Sequence, residues 1–246
     1  MFESQNCEII EYDSLSSTND EAKNLSKNNN HPVWILAKIQ TNGRGRFNRK
    51  WLSKSNNLTA SYLFYPNVSM PKFPFYSLIS SLSIYDVLIK LGIKKNDLLI
   101  KWPNDILAKN KKIAGTLLEL GEMNTNKQPS LIIGIGINLS SFPSKDEIFN
   151  NNAISLKQFV QNIPDKKNIL IEIDKRIFYW NNIFINNGFN LIKKAFLERT
   201  YPIGKEICVK LYSDNLNGSF KGINDEGNLL LKTKEGIEKI FSGEIC

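Results

Sequence analysis

Ile132-Ile-Gly-Ile-Gly-Ile-Asn138 is a run of isoleucines interrupted by two glycines one residue apart. Side chains alternate across a strand, so Gly134 and Gly136 share one face and leave it bare, while Ile133, Ile135 and Ile137 crowd the other. Such a strand belongs inside a sheet with something closely fitted on its bare side. That could be a ligand's flat ring system or a helix packed across the sheet, and this segment alone leaves both open.

On either side of this strand the periodicity alternates between that of strands and that of helices. Strand-like runs lie at Leu98 to Lys101, Ile106 to Ala108, Lys112 to Leu120 and Ser130 to Leu139. Upstream come a strand from Cys7 to Asp13 and a helix that Ser16 to Thr18 can cap, with Thr18 and Glu21 at capping-box spacing, running to about Asn28. Val33 to Gln40 and Leu58 to Tyr65 read as strands, and Phe75 to Leu91 carries the apolar spacing of a core helix. Lys167 to Asn187 and Asn190 to Arg199 read as helices with Gly188 as a stop between them. Beyond Tyr201-Pro202, short β-prone runs alternate with turn pairs such as Asn217-Gly218 and Glu235-Gly236. The expectation is an α+β domain with a mixed sheet over residues 1–200, then a small β-barrel over 201–246.

At 246 residues the chain has room for one large lobe and one small, since single cores rarely grow past roughly 250 residues. No stretch reaches the roughly 20 apolar residues of a membrane span, and Met1 to Glu11 lacks the basic start and apolar run of a secretory signal. A cytoplasmic protein with no membrane partner is expected. Cys7, Cys208 and Cys246 are far apart and odd in number, which reads as reduced thiols rather than a disulfide framework or zinc site. His31 is the single histidine and sits in an Asn-rich loop, so the chemistry falls to lysine, arginine, carboxylates and backbone amides.

The net charge is +8, and its distribution is uneven. No Asp or Glu occurs between Glu21 and Asp86, and three of only five arginines lie at Arg44, Arg46 and Arg49, against 27 lysines in the chain. A chain that otherwise uses lysine has chosen the planar guanidinium fork here, the group suited to phosphate or carboxylate. These arginines sit in Gln40-Thr-Asn-Gly-Arg-Gly-Arg-Phe-Asn-Arg-Lys-Trp51, a long loop in which Gly43 and Gly45 let the backbone approach a ligand and Trp51 offers a flat face. It reads either as a lid over a reactive anhydride or as a basic nucleic-acid tether. In Lys101-Trp-Pro-Asn-Asp105, Pro103 forces a turn that presents Asn104 and Asp105, and Lys112 starts the next strand near that turn with Gly115 behind it. An ammonium there either bridges a carboxylate and an ATP phosphate or belongs to a solvated hairpin tip with Lys109 and Lys111.

In this order, the segments resemble biotin protein ligases across essentially the whole chain. The matching segments are Ser17-Thr18-Asn19, the Gln40 to Trp51 loop, Lys101-Trp-Pro-Asn-Asp105, Lys112-Ile-Ala-Gly-Thr-Leu-Leu-Glu119, the Gly-Ile-Gly-Ile-Asn strand, Gly222 to Gly227 and Ser242-Gly-Glu. The resemblance implies a catalytic fold related to class II aminoacyl-tRNA synthetases, followed by an SH3-like β-barrel. It implies formation of biotinyl-5'-AMP from biotin and ATP with Mg2+, and transfer of biotin to a lysine of a biotin carboxyl carrier protein. Carried over residue by residue, it puts Ser17, Thr18, Asn19, Gln40, Gly43, Arg44, Gly45, Arg46, Lys112, Gly115, Gly134 and Gly136 at biotin. Arg46, Arg49, Trp51, Asn104 and Asn138 fall at the nucleotide, and Lys112, Arg46 and Asp105 at the chemistry. The metal ligands stay open, Asn104 and Asp105 being short polar groups suited to a sugar, an adenine edge or magnesium.

One departure is Asn48, where the family usually has glycine; asparagine accepts positive φ better than most residues. Many bacterial relatives carry an N-terminal helix-turn-helix domain, whereas here the ligase motifs begin within the first 20 residues, so no specific DNA binding is expected. A monomer or weak homodimer is expected. Lipoate ligases and octanoyl transferases share the fold and are the nearest alternative; a non-enzymatic nucleic-acid binder is the alternative from another class.

Overall fold

The computed structural model describes residues 7–52, 54, 56–123, 129–142, 152–211 and 214–246, with only the backbone at residue 48. The reading of the first six residues lies outside it, as does the Asn48 side chain.

Seven strands form the first sheet. In chain order they are β1 (Glu8–Leu15), β2 (Val33–Gln40), β3 (Leu58–Phe64), β4 (Leu98–Lys101), β5 (Asp105–Ala108), β6 (Lys111–Leu120) and β7 (Leu131–Ile137), and in space they run β1-β2-β3-β7-β6-β5-β4. β1 and β2 are parallel, and the other neighbours are antiparallel. The sheet is therefore mixed, as expected. The parallel step needs a crossover, supplied by helix α1 (Thr18–Ser26). Its N-cap is Ser17, whose Oγ accepts from the Asp20 amide, one residue before the Thr18 to Glu21 pair that the sequence offered as a capping box.

The glycine-bearing strand β7 lies inside the sheet, flanked by β3 and β6, with every residue buried. Its two faces separate two cores. Ile133, Ile135 and Ile137 join the large cluster with helix α2 (Phe75–Lys90), helix α3 (Lys166–Asn187) and helix α4 (Phe189–Leu197). Ile132 faces the opposite way into a smaller cluster with Ala22 of α1. Both α2 and α3 carry the apolar spacing that their sequence predicts, and they end within one residue of the expected limits.

The second sheet is antiparallel and has five strands: β8 (Glu206–Lys210), β9 (Asn215–Ile223), β10 (Leu229–Lys232), β11 (Ile237–Ile240) and β12 (Glu244–Ile245). Its inward residues Ile207, Val209, Phe220 and Leu229 belong to the same large cluster as α4, and the Trp102 indole N–H donates to the Gly227 carbonyl at 3.0 Å. One expectation is corrected here. Cys208 and Cys246 are joined as a disulfide, leaving Cys7 as the free thiol among the described residues. Strand pairing brings them together, since β12 lies along β8 and the Cys246 amide donates to the Cys208 carbonyl at 2.8 Å. A 38-residue separation along the chain gives no sign of this.

Candidate active site

The ends of the central strands, the start of α1, the Gln40 to Trp51 loop and the rim of the second sheet enclose a cavity of about 1130 Å³. Every residue that the sequence assigned to the site lines it except Gly43.

The 40–51 segment is ordered by its own backbone. Trp51 N donates to Gly43 O at 2.9 Å, Gly45 N to Arg49 O at 2.7 Å, and Arg44 bridges Lys50, so the loop is a narrow hairpin with a helical turn at Arg46–Asn48. Gly43 sits at its base, where a side chain would strike the Trp51 carbonyl. The left-handed position at the tip is Phe47, with φ of 55°. Its exposed ring lies 4.9 Å from the Arg46 guanidinium.

The two readings of the bare face of β7 can now be told apart. A Cβ on Gly134 would collide with the amide of Asn19, so that glycine admits the first turn of α1. A Cβ on Gly136 would collide with the indole of Trp51, so the flat ring against this part of the strand is the protein's own. The Trp51 indole N–H is buried and has no hydrogen-bond partner among the described residues.

At one end of the cavity Thr18 donates through both its amide and its hydroxyl to the Gln40 side-chain oxygen, at 2.8 and 2.9 Å. Ser61 lies within 2.7 Å of the Thr18 hydroxyl and 2.5 Å of the Asn19 oxygen. Ser17, Thr18 and Asn19 are all buried, so this end is a compact set of neutral donors and acceptors suited to a neutral polar group.

The charged end is built on β5 and β6. Lys112 Nζ lies 2.6 Å from Asp105, and Lys101 Nζ lies 3.8 Å from the other oxygen of the same buried carboxylate. Gly115 pairs with Asp105 in the ladder, and a Cβ there would meet the Lys112 chain at 3.0 Å and the carboxylate at 3.1 Å, so its bareness makes room for the ion pair. Asn104 donates to the Thr116 carbonyl and Asn138 to the Lys112 carbonyl, and both are buried. The Lys112 ammonium also lies 5.6 Å from the Trp51 ring, within cation–π range.

The three arginines have different partners. Arg44 is ion-paired to Asp20 and Glu119, and the Asp20 hydrogen bond leads the effects that raise its pKa. Arg49 pairs with Glu244. Arg46 donates to neutral oxygens, Gly243 O at 2.9 Å and Asn104 Oδ1 at 3.5 Å, and burial depresses its pKa. A desolvated guanidinium held by neutral acceptors favours an incoming anion.

Glu244 is a site residue to which sequence reasoning gave no role, although the closing Ser242-Gly-Glu was the signal for it. Burial works to raise its carboxyl, but Lys101, then Arg49, outweigh that and hold it below the ordinary glutamate range. Lys205 and Lys210 also reach the cavity from the second sheet. Nothing in the sequence marked them among the lysines around them.

Residues 11–138 match the model of the biotin/lipoate A/B protein ligase family, and residues 203–246 match the biotin protein ligase C-terminal domain. The chain belongs to the biotin/lipoate A/B protein ligase family. Among relatives in this family, the Bifunctional ligase/repressor BirA of Bacillus subtilis is 35% identical over 96% of this chain and 73% of its own length. The Biotin--[acetyl-CoA-carboxylase] ligase of Paracoccus denitrificans is 29% identical over 93% of this chain and 96% of its own. Among solved structures, the biotin protein ligase from Aquifex aeolicus in complex with biotin and ATP superposes with a TM-score of 0.81 at 29% identity, covering 97% of each chain. The α+β fold and its small antiparallel C-terminal sheet are those of this family.

Proposed function

We propose that this cavity joins biotin to ATP and then passes the biotinyl group to a lysine of a biotin carboxyl carrier protein, as an ATP-dependent biotin protein ligase. The observation that carries the reading is the separation of a hydrogen-bonded set of neutral groups, Ser17, Thr18, Asn19 and Gln40, beside which the Arg44 charge is neutralised by Asp20 and Glu119, from the cationic groups Arg46, Lys101 and Lys112 that line the same cavity. Biotin is itself so divided, into a neutral ureido ring and a carboxylate.

In the first step a biotin carboxylate oxygen attacks the α-phosphorus of ATP and pyrophosphate leaves. Lys112 and Arg46 stabilise the negative charge gathering between the two reactants. Asp105 aims the Lys112 ammonium, and Trp51, Asn104 and Asn138 form the nucleotide side. Among the described residues no group of three or more His, Cys, Asp or Glu could hold a metal ion. A Mg2+ accompanying ATP would supply further neutralisation of phosphate charge beside Lys112 and Arg46. In the second step the neutral amine of the carrier lysine attacks the acyl carbon, AMP leaves, and Asp105 takes the proton. The Arg44 to Arg49 hairpin shields the anhydride from water.

We assign residues 1–200 to the catalytic unit and 201–246 to an SH3-like unit that completes its rim. The protein acts in the cytoplasm as a monomer or weak homodimer. Among the described residues no helix is long and apolar enough to cross a membrane.

The deciding experiment is acid-dependent exchange of labelled pyrophosphate into ATP, with biotin, lipoate and octanoate compared and Lys112→Ala beside the wild type. Exchange with biotin alone, reduced about 100-fold or more in the variant, is the expected outcome. Exchange only with lipoate or octanoate would keep the fold and discard biotin, and exchange with no acid would discard the enzyme.

A further inference from the structure

Arg44 has the geometry of a tether. Its guanidinium meets Asp20 at 2.7 and 2.8 Å, through NH2 and NH1, and its NH2 lies 3.2 Å from both Glu119 oxygens. Asp20 stands in the first turn of α1, and Glu119 near the far end of β6. Glu119 is held in turn: Asn19 Nδ2 donates to it at 2.6 Å, and the Asn19 amide sits in the gap left by the missing side chain of Gly134. One connected set of contacts thus runs from the bare face of β7, through α1 and β6, to the base of the loop. Two carboxylates already neutralise the cation that the sequence offered as a grip for phosphate, whereas among the described residues the hydrogen bonds of Arg46, two residues on, go to neutral oxygens, with Asp105 and Glu244 acting on it through space.

We infer that Asp20 and Glu119 are positioning residues that clamp Arg44, and that this clamp fixes where the Arg46–Asn48 turn enters the cavity. Arg44 anchors the loop, and Arg46 remains the guanidinium for the ligand's anion. The catalytic consequence rests on the ligase reading; the clamp itself does not. Two acids, rather than one, suit this purpose, because a loop base tied to both a helix and a strand cannot swing about either contact alone.

The test uses the full chain as wild type, Glu119→Gln and Asp20→Asn, each checked for an unchanged melting temperature. Trypsin cleaves after arginine and lysine, so the loop reports on itself through the bonds after Arg46, Arg49 and Lys50. Loss of either carboxylate should speed cleavage at these bonds about tenfold over the rest of the chain, as expected when local opening is eased. In biotin-dependent exchange, KM for biotin should rise about tenfold while kcat changes less than about threefold, a split that a merely structural role would not produce. Adding Arg44→Gln to Glu119→Gln should give no further increase. Loop cleavage as slow as in the wild type, or faster only in step with the whole chain, overturns the inference. Fast loop cleavage with no exchange from any form, wild type included, leaves the clamp standing and removes the ligase reading. Should Glu119→Gln fail to fold, Asp20→Asn is read by the same criteria, since Asp20 lies on the more exposed side of the clamp.

Discussion

Gly136 does its work by lacking a side chain. Its bare face receives the Trp51 indole, which lies against the central strand and within cation–π reach of Lys112. Gly136→Ala should push that ring out of its seat while leaving the buried strand paired, because the collision is with a half-buried loop side chain rather than with backbone. The expected result is a KM for ATP raised about tenfold with the fold retained, measured by exchange kinetics beside thermal melting. An unchanged KM would mean that the indole has no part in nucleotide binding. Arg46 offers a second prediction at this scale. As the desolvated guanidinium with neutral partners, it should grip the acyl phosphate, and Arg46→Gly should raise escape of biotinyl-AMP into solution about tenfold or more. Undiminished retention on rapid filtration would take the lid role from this residue.

At the scale of elements, the two-residue strand β12 holds more of the site than its length suggests. Lys101 donates to the Ile245 carbonyl at 3.0 Å, Arg46 to the Gly243 carbonyl at 2.9 Å, and Arg49 pairs with Glu244. Because Glu244 is held below the ordinary glutamate range in the folded chain, its stabilising effect is present above its unfolded pKa and is lost as pH falls through the depressed folded value. Acidification below the usual glutamate range should therefore destabilise wild type more steeply than Glu244→Gln, as measured by thermal melting across pH. Parallel curves would show that the latch contributes nothing. Asp174 has the opposite sign. Burial raises its carboxyl, with the Trp34 indole bond working against that, so protonation as pH falls through the raised value favours the folded state.

For the whole molecule, the second sheet closes one side of the cavity, and the Cys208–Cys246 bridge ties its last strand to β8. Thiol titration of the unreduced chain in denaturant should find one reactive sulfhydryl, Cys7, and three after reduction. Three in both states would return the pair to the reduced form that the cysteine spacing suggested. Part of the chain's basic surplus also takes on a location. Lys101, Lys112, Lys205 and Lys210 converge on one cavity from two sheets, a field that draws anionic substrates to the mouth and weakens with salt.

The sequence by itself determined the elements, and the cavity gathers most of the residues it proposed for the site. Period-2 and period-3.6 patterns placed β2, β4 and the two long helices within a residue of their limits, because those patterns record which face of each element is buried. The local motifs named the cavity's walls, because chemistry confined to a loop or a turn is written in consecutive residues. Only the tertiary structure decided which partner each charge took. Arg44 meets Glu119 across 75 residues, Arg49 meets Glu244 across 195, and Cys208 meets Cys246 across 38. None of these pairs lies on one helix face or one strand. The packing of separate elements brings them together, so no local period records them, and the sequence's three similar arginines become two tethers and one anion grip only when the sheets assemble.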